Sequence, residues 1–537
     1  MNCEFPFLLM LASKITEGKS FITRSIGTLF LLTALSGYSN NLHVTNLEIA
    51  SNDDQQAFAM VKFDISWENS WRDDQNWDAV WVFIKFNAGN GWEHGEINYS
   101  DGLSDGHTSP DEAVITATPD HKGVFIYLAE AGSGNNNFSN IQLRWNYGSN
   151  GLADIDGIEL KVLGIEMVYV QEGSFWLGDG ESQNIQGHFE SAASGNPFQV
   201  TSENEITLGG GGQGSLGNNN GEGMSNNGDA IPAPYNTISM DDFNDSQSQV
   251  LPTAFPKGFM GFYCMKYELT QEQYVEFLNM LTATQANTRF DPNPHSVDEA
   301  SVRYTISGSH PNFTTTTPHV TAIFVEYYDG AAYADWSGLR PMTELEFEKA
   351  CRGPLTPVAG EYAWGTTNLN STFQIIENLN AENENISTGF DPNSGNAWIN
   401  QVNSLGAAVR VGIFAANPNT TGRESSGATY WGIMEMSGNC WERAVTVGRP
   451  EGRAFEGTHG DGQLNESGNA NNADWPGHSG NDGIDDVIGV GYRGAGFEFP
   501  APVELNLRTS ARRMATSFYH IRYYDDTMRL VRTSPHN

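Results

Sequence analysis

The chain has 537 residues, 39% of them hydrophobic and 11% aromatic, which suits a folded protein with more than one ordinary core. Its 65 acidic residues outnumber 28 basic ones, and the net charge of −37 excludes nucleic acid and anionic membrane as partners while tolerating cations such as calcium. The 58 glycines and frequent asparagines favour turns and long loops over long helices.

Near the N-terminus, Lys19 and Arg24 precede IGTLFLLTAL, an apolar run of signal-peptide length and too short to span a bilayer. ALSG follows, so residues 1–37 read as an export signal with cleavage near Ser36 or Gly37. The stretch before Lys19 makes a long n-region, as a misassigned start codon would. No cysteine follows the apolar run to carry a lipid anchor, and no later segment is apolar enough for a membrane span. The expected location is therefore exported: periplasmic, cell-surface or secreted.

Residues 38–164 carry the pattern of an antiparallel β-sandwich. MVKFDISW alternates and sets Val61, Phe63, Ile65 and Trp67 on one face. AVWVFIKF, GVFIYLAE, IQLRWNYG and IELKVLGI are further short strands between Asn, Gly and Asp-rich turns. Six tryptophans fall here: Trp67, Trp71, Trp77, Trp81, Trp92 and Trp145. Exposed aromatics beside Asn and Asp can stack on sugar rings, whereas Trp81, inside an apolar strand, is expected in the core.

Residues 165–534 form the second domain. EMVYVQEGSFWLG is strand-like, and the Gly/Asn-rich insertion 179–250 reads as a loop with too few apolar residues for a core. In YELTQEQYVEFLNML, Thr270 and Gln273 fit a capping box ahead of Tyr274, Phe277, Leu278 and Leu281 at helical spacing. In RPMTELEFEKACRGP, Thr343 and Glu346 form a second box, Phe347, Ala350 and Cys351 share a buried side, and Gly353-Pro354 stops the helix. FVEYYDGAAYADW is a third amphipathic stretch. Long Gly/Asn-rich loops follow, and the chain closes on strand-like YRGAGFEF, LNLRTSARR and TMRLVRT.

Four cysteines are present. Cys3 leaves with the signal, so Cys264, Cys351 and Cys440 remain, an odd number, and the sequence leaves any pairing among them open. There is no CxxC or HExxH, and the 12 histidines are scattered, which gives no support to a zinc or histidine-bound iron site. MSGNCWERAV, residues 436–445, sets Cys440 between Asn439 and Trp441. No GxSxG elbow supports a serine nucleophile.

Taken in order, EMVYVQEGSFWLG, FYCMKYELTQEQYVEFLN, LRPMTELEFEKACRG, EYAWG, GIMEMSGNCWE, YRGAG and MRLVR resemble the sulfatase-modifying factor family, whose founding activity is the formylglycine-generating enzyme. The resemblance implies an α+β fold, a loop-rich C-type-lectin-like domain, here preceded by the β-sandwich. It also implies copper(I) held on two thiols that oxidises a substrate cysteine with oxygen. Laid on that motif without a gap, YRGAGFEFPAPVELNLRTSARR places Phe499 and Glu504 at the thiol positions. Neither offers the soft ligand that Cu(I) needs, and no cysteine follows Cys440, so copper is not expected. Cys351 and Cys264 read as small buried residues instead.

The resemblance makes GNCWE a calcium site, with side-chain oxygens from Asn439 and Glu442, backbone carbonyls from Gly438 and Cys440, and Trp441 packed inward. Asn380, Asn383 and Asp391 are candidates for a second calcium site. Arg508, Arg512 and Arg513 form a basic cluster expected to pair internally with carboxylates. Branches that work with histidine-bound iron take it from an added helical domain, which the β-rich N-terminal part does not supply. The leading expectation is an exported binding or structural module without copper chemistry, its partner a protein or glycan. Two alternatives stand beside it. One is a formylglycine-generating-type or other oxidoreductase with a re-cut site using Glu504 and Arg508. The other is a glycan-binding protein acting through the N-terminal β domain.

Overall fold

The computed structural model describes residues 42–97, 106–180, 187–219, 241–292, 302–400, 402–498, 506–517 and 520–536. The export signal, Cys3, Phe499 and Glu504 lie outside the described residues.

Besides the short strand Trp92–His94, the fold opens on β1 His43–Asp53, β2 Phe58–Arg72, β3 Asp78–Asn87, β4 Ala113–Ala117, β5 Val124–Leu128, β6 Gly132–Trp145 and β7 Glu159–Val170. β1, β2 and β6 form an antiparallel three-stranded sheet. The alternation in β2 works as expected: Val61, Phe63, Ile65 and Trp67 are buried against Val80, Val82, Ile84 and Phe86 of β3 and Val124 and Ile126 of β5. This interior is the first core.

β3 has no polar face. Its other residues, Ala79, Trp81 and Phe83, join Phe125, Leu163, Ile165 and Met167 in a second and larger core shared with the C-terminal part. A strand buried on both sides reads as a continuous apolar run, as AVWVFIKF does. Trp81 donates its indole N–H to the Ser337 carbonyl at 2.8 Å, and Phe83 meets Trp336 edge to face at 5.4 Å. Trp67 and Trp145 are core residues as well, while Trp71, Trp77 and Trp92 are half-buried.

The C-terminal part contributes β8 Phe262–Met265, α1 Gln271–Met280, α2 Ala283–Arg289, α3 Tyr327–Ser337, β9 Arg340–Pro341, α4 Glu344–Arg352, β10 Trp441–Val445, β11 Val490–Arg493, β12 Asp526–Thr527 and β13 Leu530–Thr533. The principal sheet runs β9-β13-β8-β7-β3-β5-β4, with Trp92–His94 as an eighth strand beside β3. β7 joins the two halves. Residues Glu159–Val168 pair with Asn87–Asp78, and Met167–Val170 pair with Met265–Phe262. The expected boundary at 164/165 thus falls inside one strand that is hydrogen-bonded to both parts.

Both expected capping boxes form, at Thr270/Gln273 and Thr343/Glu346. A third, at Thr282/Gln285, starts α2, which the sequence reading passes over although TATQ carries the signature. α4 departs from a one-sided amphipathic helix, because every residue from Glu344 to Arg352 is buried. Its charges are matched by partners within and outside the helix, several of them distant in the chain. Arg340 meets Glu346, Arg493 meets Glu344 and Glu348, and Lys349 donates to the Gly258 and Phe259 carbonyls. No spacing rule shows such pairings.

Two other expectations are corrected. In the 179–250 insertion, the described residues build a small sheet from Glu190–Ser191, Ile206–Gly209, Leu216–Gly217 and Ser248–Leu251. Phe189, Leu208, Leu216, Phe243 and Leu251 enter the larger core, so one apolar residue per short strand suffices where a core already exists. LNLRTSARR, expected as a strand, is a run of turns over its described residues. Its backbone is held by loops and side chains: Ser437 donates to the Leu507 carbonyl, Arg493 to that of Thr509, and the Thr509 N–H donates to Glu361.

α3 gives one pH prediction. Asp335 accepts the N–H groups of Asp461 (2.9 Å) and Asn471 (3.2 Å). Burial and neighbouring Asp461 push its carboxyl up to about 7. The unfolded side chain ionises near 4, so this contribution is complete below about pH 4 and is lost as pH rises to about 7. Thermal midpoints from pH 4 to 8 are expected to fall more steeply in the wild type than in Asp335→Asn. Parallel curves would refute the assignment.

Candidate functional site

The segment 436–445 turns at Gly438 (φ 100°) and Asn439 (φ 64°) and then enters β10. Glycine accepts that backbone without cost, and asparagine is among the side chains that tolerate it. β10 sits between β11, antiparallel, and β12, parallel. Trp441 points inward as expected, packing with Tyr492 at 6.0 Å in a cluster that includes Tyr362, Trp364 and Leu507.

Each expected calcium side chain has a protein partner. Asn439 donates to Glu268 and to Thr321 Oγ1 (2.8 Å), and its Oδ1 accepts the Val409 N–H at 3.1 Å. Glu442 Oε1 accepts from Arg529 Nε at 2.8 Å and lies 2.7 Å from Nη2. Arg529 is fixed in turn by the carbonyls of Met265 and Met434, at 2.9 and 2.8 Å. Glu442 Oε2 is buried without a hydrogen-bond partner.

Calcium takes 6–8 oxygen ligands, and a guanidinium forked onto the carboxylate opposes a second cation there. As arranged, Asn439 and Glu442 do not fit calcium. Among the described residues, no group of three His, Cys, Asp or Glu is placed to hold a metal. The second candidate set does not converge either. Asn380 Oδ1 accepts from Arg303, Asp391 holds the Asn393 N–H, and Asn383 lends its carbonyl to Asn378.

What the segment does instead is organise buried charge. Glu268 receives the Cys440 N–H at 3.1 Å, together with the Thr321 hydroxyl at 2.7 Å and the Asn439 amide. Burial and neighbouring Glu442 nonetheless hold the Glu268 carboxyl well above its usual range. Arg443 pairs with Glu326 and stacks 3.6 Å from the Tyr492 ring centre, while Tyr492 donates its hydroxyl to Asp526 at 2.5 Å.

Arg512 pairs internally with Asp241 (2.8 Å) and Glu344 (2.7 Å). Burial opposes ionisation of Glu344, but Arg512 and Arg493 prevail and hold its carboxyl low. Arg508 lies against Gly360, and a Cβ on that glycine would stand 2.7 Å from Arg508 Nη1. Cys264, Cys351 and Cys440 are free thiols, fully buried, and burial pushes each thiol well above its ordinary range. Cys264 and Cys351 share one apolar cluster, and Cys440 belongs to the larger core.

A family profile described as Sulfatase-modifying factor enzyme 1-like domain matches residues 164–459. Hercynine oxygenase of Mycobacterium tuberculosis (strain ATCC 25618 / H37Rv) is 28% identical over 127 residues, 24% of this chain and 22% of that protein. The match to that relative therefore spans less than a quarter of either chain. The profile begins within β7 and ends before β11, β12 and β13, which pair with β10 and β8 inside it.

Proposed function

Because the chain belongs to the sulfatase-modifying factor enzyme 1-like family, we propose that it is an exported member using the family frame as a binding or structural module. In this reading it does not make formylglycine with copper. One observation carries the reading: laid without a gap on the family's motif, the sequence puts Phe499 and Glu504 at the thiol positions, and it has no cysteine after Cys440. The burial of the three remaining described thiols supports it, since Cu(I) needs accessible thiolates. The loop-rich, C-type-lectin-like character implied by the resemblance belongs to the same proposal, as loops on a rigid frame can be re-cut for a new ligand.

Incubating the purified chain with Cu(I), oxygen and a sulfatase-type cysteine peptide should give no more peptide aldehyde than the same mixture without the protein. Protein-dependent aldehyde formation would overturn the reading in favour of an oxidoreductase with a re-cut site.

A further inference from the structure

A cleft of about 370 Å³ opens where the end of β2 and the β2–β3 turn meet the loops before β10, and Asn69 and Trp71 of β2 line it with Asp73 of the turn. Tyr430, Arg423 and Tyr267 line it from the family domain. The volume is in the range of small-ligand sites.

The aromatic wall is built rather than accidental. Trp71 donates its indole N–H to Asn76 Oδ1 (3.0 Å), and Asn76 Nδ2 donates to the Trp431 carbonyl at 2.7 Å. Gly432 lies against the same ring, and a Cβ there would stand 2.6 Å from Trp71 Cζ2, a space only glycine leaves free. Beneath it, Lys266 binds Asp78 (3.1 Å) and Glu166 (3.2 Å) and donates to the Asn69 carbonyl at 3.3 Å. The turn is thus clamped onto the family domain, with Trp71 and Tyr430 half-buried.

Arg423 differs from the ion-paired arginines of this interior, such as Arg340, Arg352, Arg443 and Arg529. Among the described residues no carboxylate lies within ion-pair distance of it. Its Nη2 donates to the Cys351 and Ala363 carbonyls at 3.2 and 2.9 Å, while Nε is buried with no partner. Opposite stand an exposed carboxylate, Asp73, and an exposed amide, Asn69. Half-exposed rings beside donors and acceptors of both signs suit a molecule with a flat C–H face and a rim of hydroxyls, which donate and accept alike. A cation would meet Lys266 and Arg423, and a purely apolar ligand would leave the guanidinium unsatisfied.

We propose that this cleft binds a sugar ring at the end of a glycan, stacked on Trp71 and Tyr430 and hydrogen-bonded to Arg423 and Asp73. This deepens the binding-module reading and rests on it. The site draws on both halves of the molecule, so residues 38–163 alone would not reproduce it.

Glucose, N-acetylglucosamine and glucuronate are to be titrated separately into the full chain, following tryptophan fluorescence and heat. Saturable binding of at least one is expected, and comparing glucose with glucuronate shows whether Arg423 meets a hydroxyl or a carboxylate. Ala416→Trp, at the exposed rim, should weaken binding about tenfold or more at an unchanged melting temperature. Silence with all three sugars, or binding untouched by both Ala416→Trp and Trp71→Leu, would overturn the proposal. Silence with no peptide aldehyde formed would sink the sugar cleft and leave the loss of copper chemistry standing. Aldehyde formation with sugar binding would do the reverse.

Discussion

Glu442→Ala will cost the fold about 3–5 kcal/mol, because it leaves the Arg529 guanidinium buried and uncompensated. Denaturant unfolding of the full chain measures this loss. Arg529 is fully buried and is held by two backbone carbonyls besides Glu442, so it has no route to water. The double variant Glu442→Leu/Arg529→Met removes both charges and should recover much of the loss. A chelator separates this account from a metal one. EDTA should leave the wild-type midpoint where it is, whereas a drop matching that of Glu442→Ala would restore calcium as the ligand.

Trp81→Ala is expected to cost a further class of stability, about 3–5 kcal/mol, through the cavity it opens. Trp81 lies on the β3 face that packs against the C-terminal part, bonded to Ser337, with Arg532 4.3 Å from its ring centre. The same face predicts the outcome of cutting the chain. Residues 165–537 alone would lose half of β7 and all of β3, exposing Trp336 and Tyr263, which meet Phe83 and Phe125. That fragment should show no cooperative thermal transition, while the chain starting at residue 38 unfolds in one step. A fragment melting cooperatively at the full-chain midpoint would refute this.

Local features of the fold are legible in the sequence. Capping boxes at Thr270 and Thr343, the alternation of β2 and the inward Trp441 each depend on neighbours a few residues away. Long-range features are not. That β7 serves two parts, or that β3 is buried on both faces, depends on partners some 80 to 250 residues distant, although the run AVWVFI, apolar from Ala79 to Ile84, carries a trace of the second. The candidate site divides the same way. Oxygen-rich GNCWE has the composition of a cation site, and nothing in its spacing announces Arg529, 87 residues later. Trp71 was visible as one aromatic among six, but the cleft needs Arg423 and Tyr430 beside it.

The position of β13 has a consequence in time. It lies inside the principal sheet, between β8 and β9, yet Leu530 follows Met265 of β8 by 265 residues. Until Leu530–Thr533 arrive, β8 lacks one neighbour and β9 has no ladder partner in that sheet. The outward face of β3, with Trp81 and Phe83, waits less long, because α1 and α3, which cover it, are complete at Ser337. Pairing across so long a separation is a high-contact-order event, slow and exposed to misassociation. The nascent protein therefore carries an open edge on β8 from Met265 until Leu530 is made, and its yield depends on how well that edge is shielded over the interval.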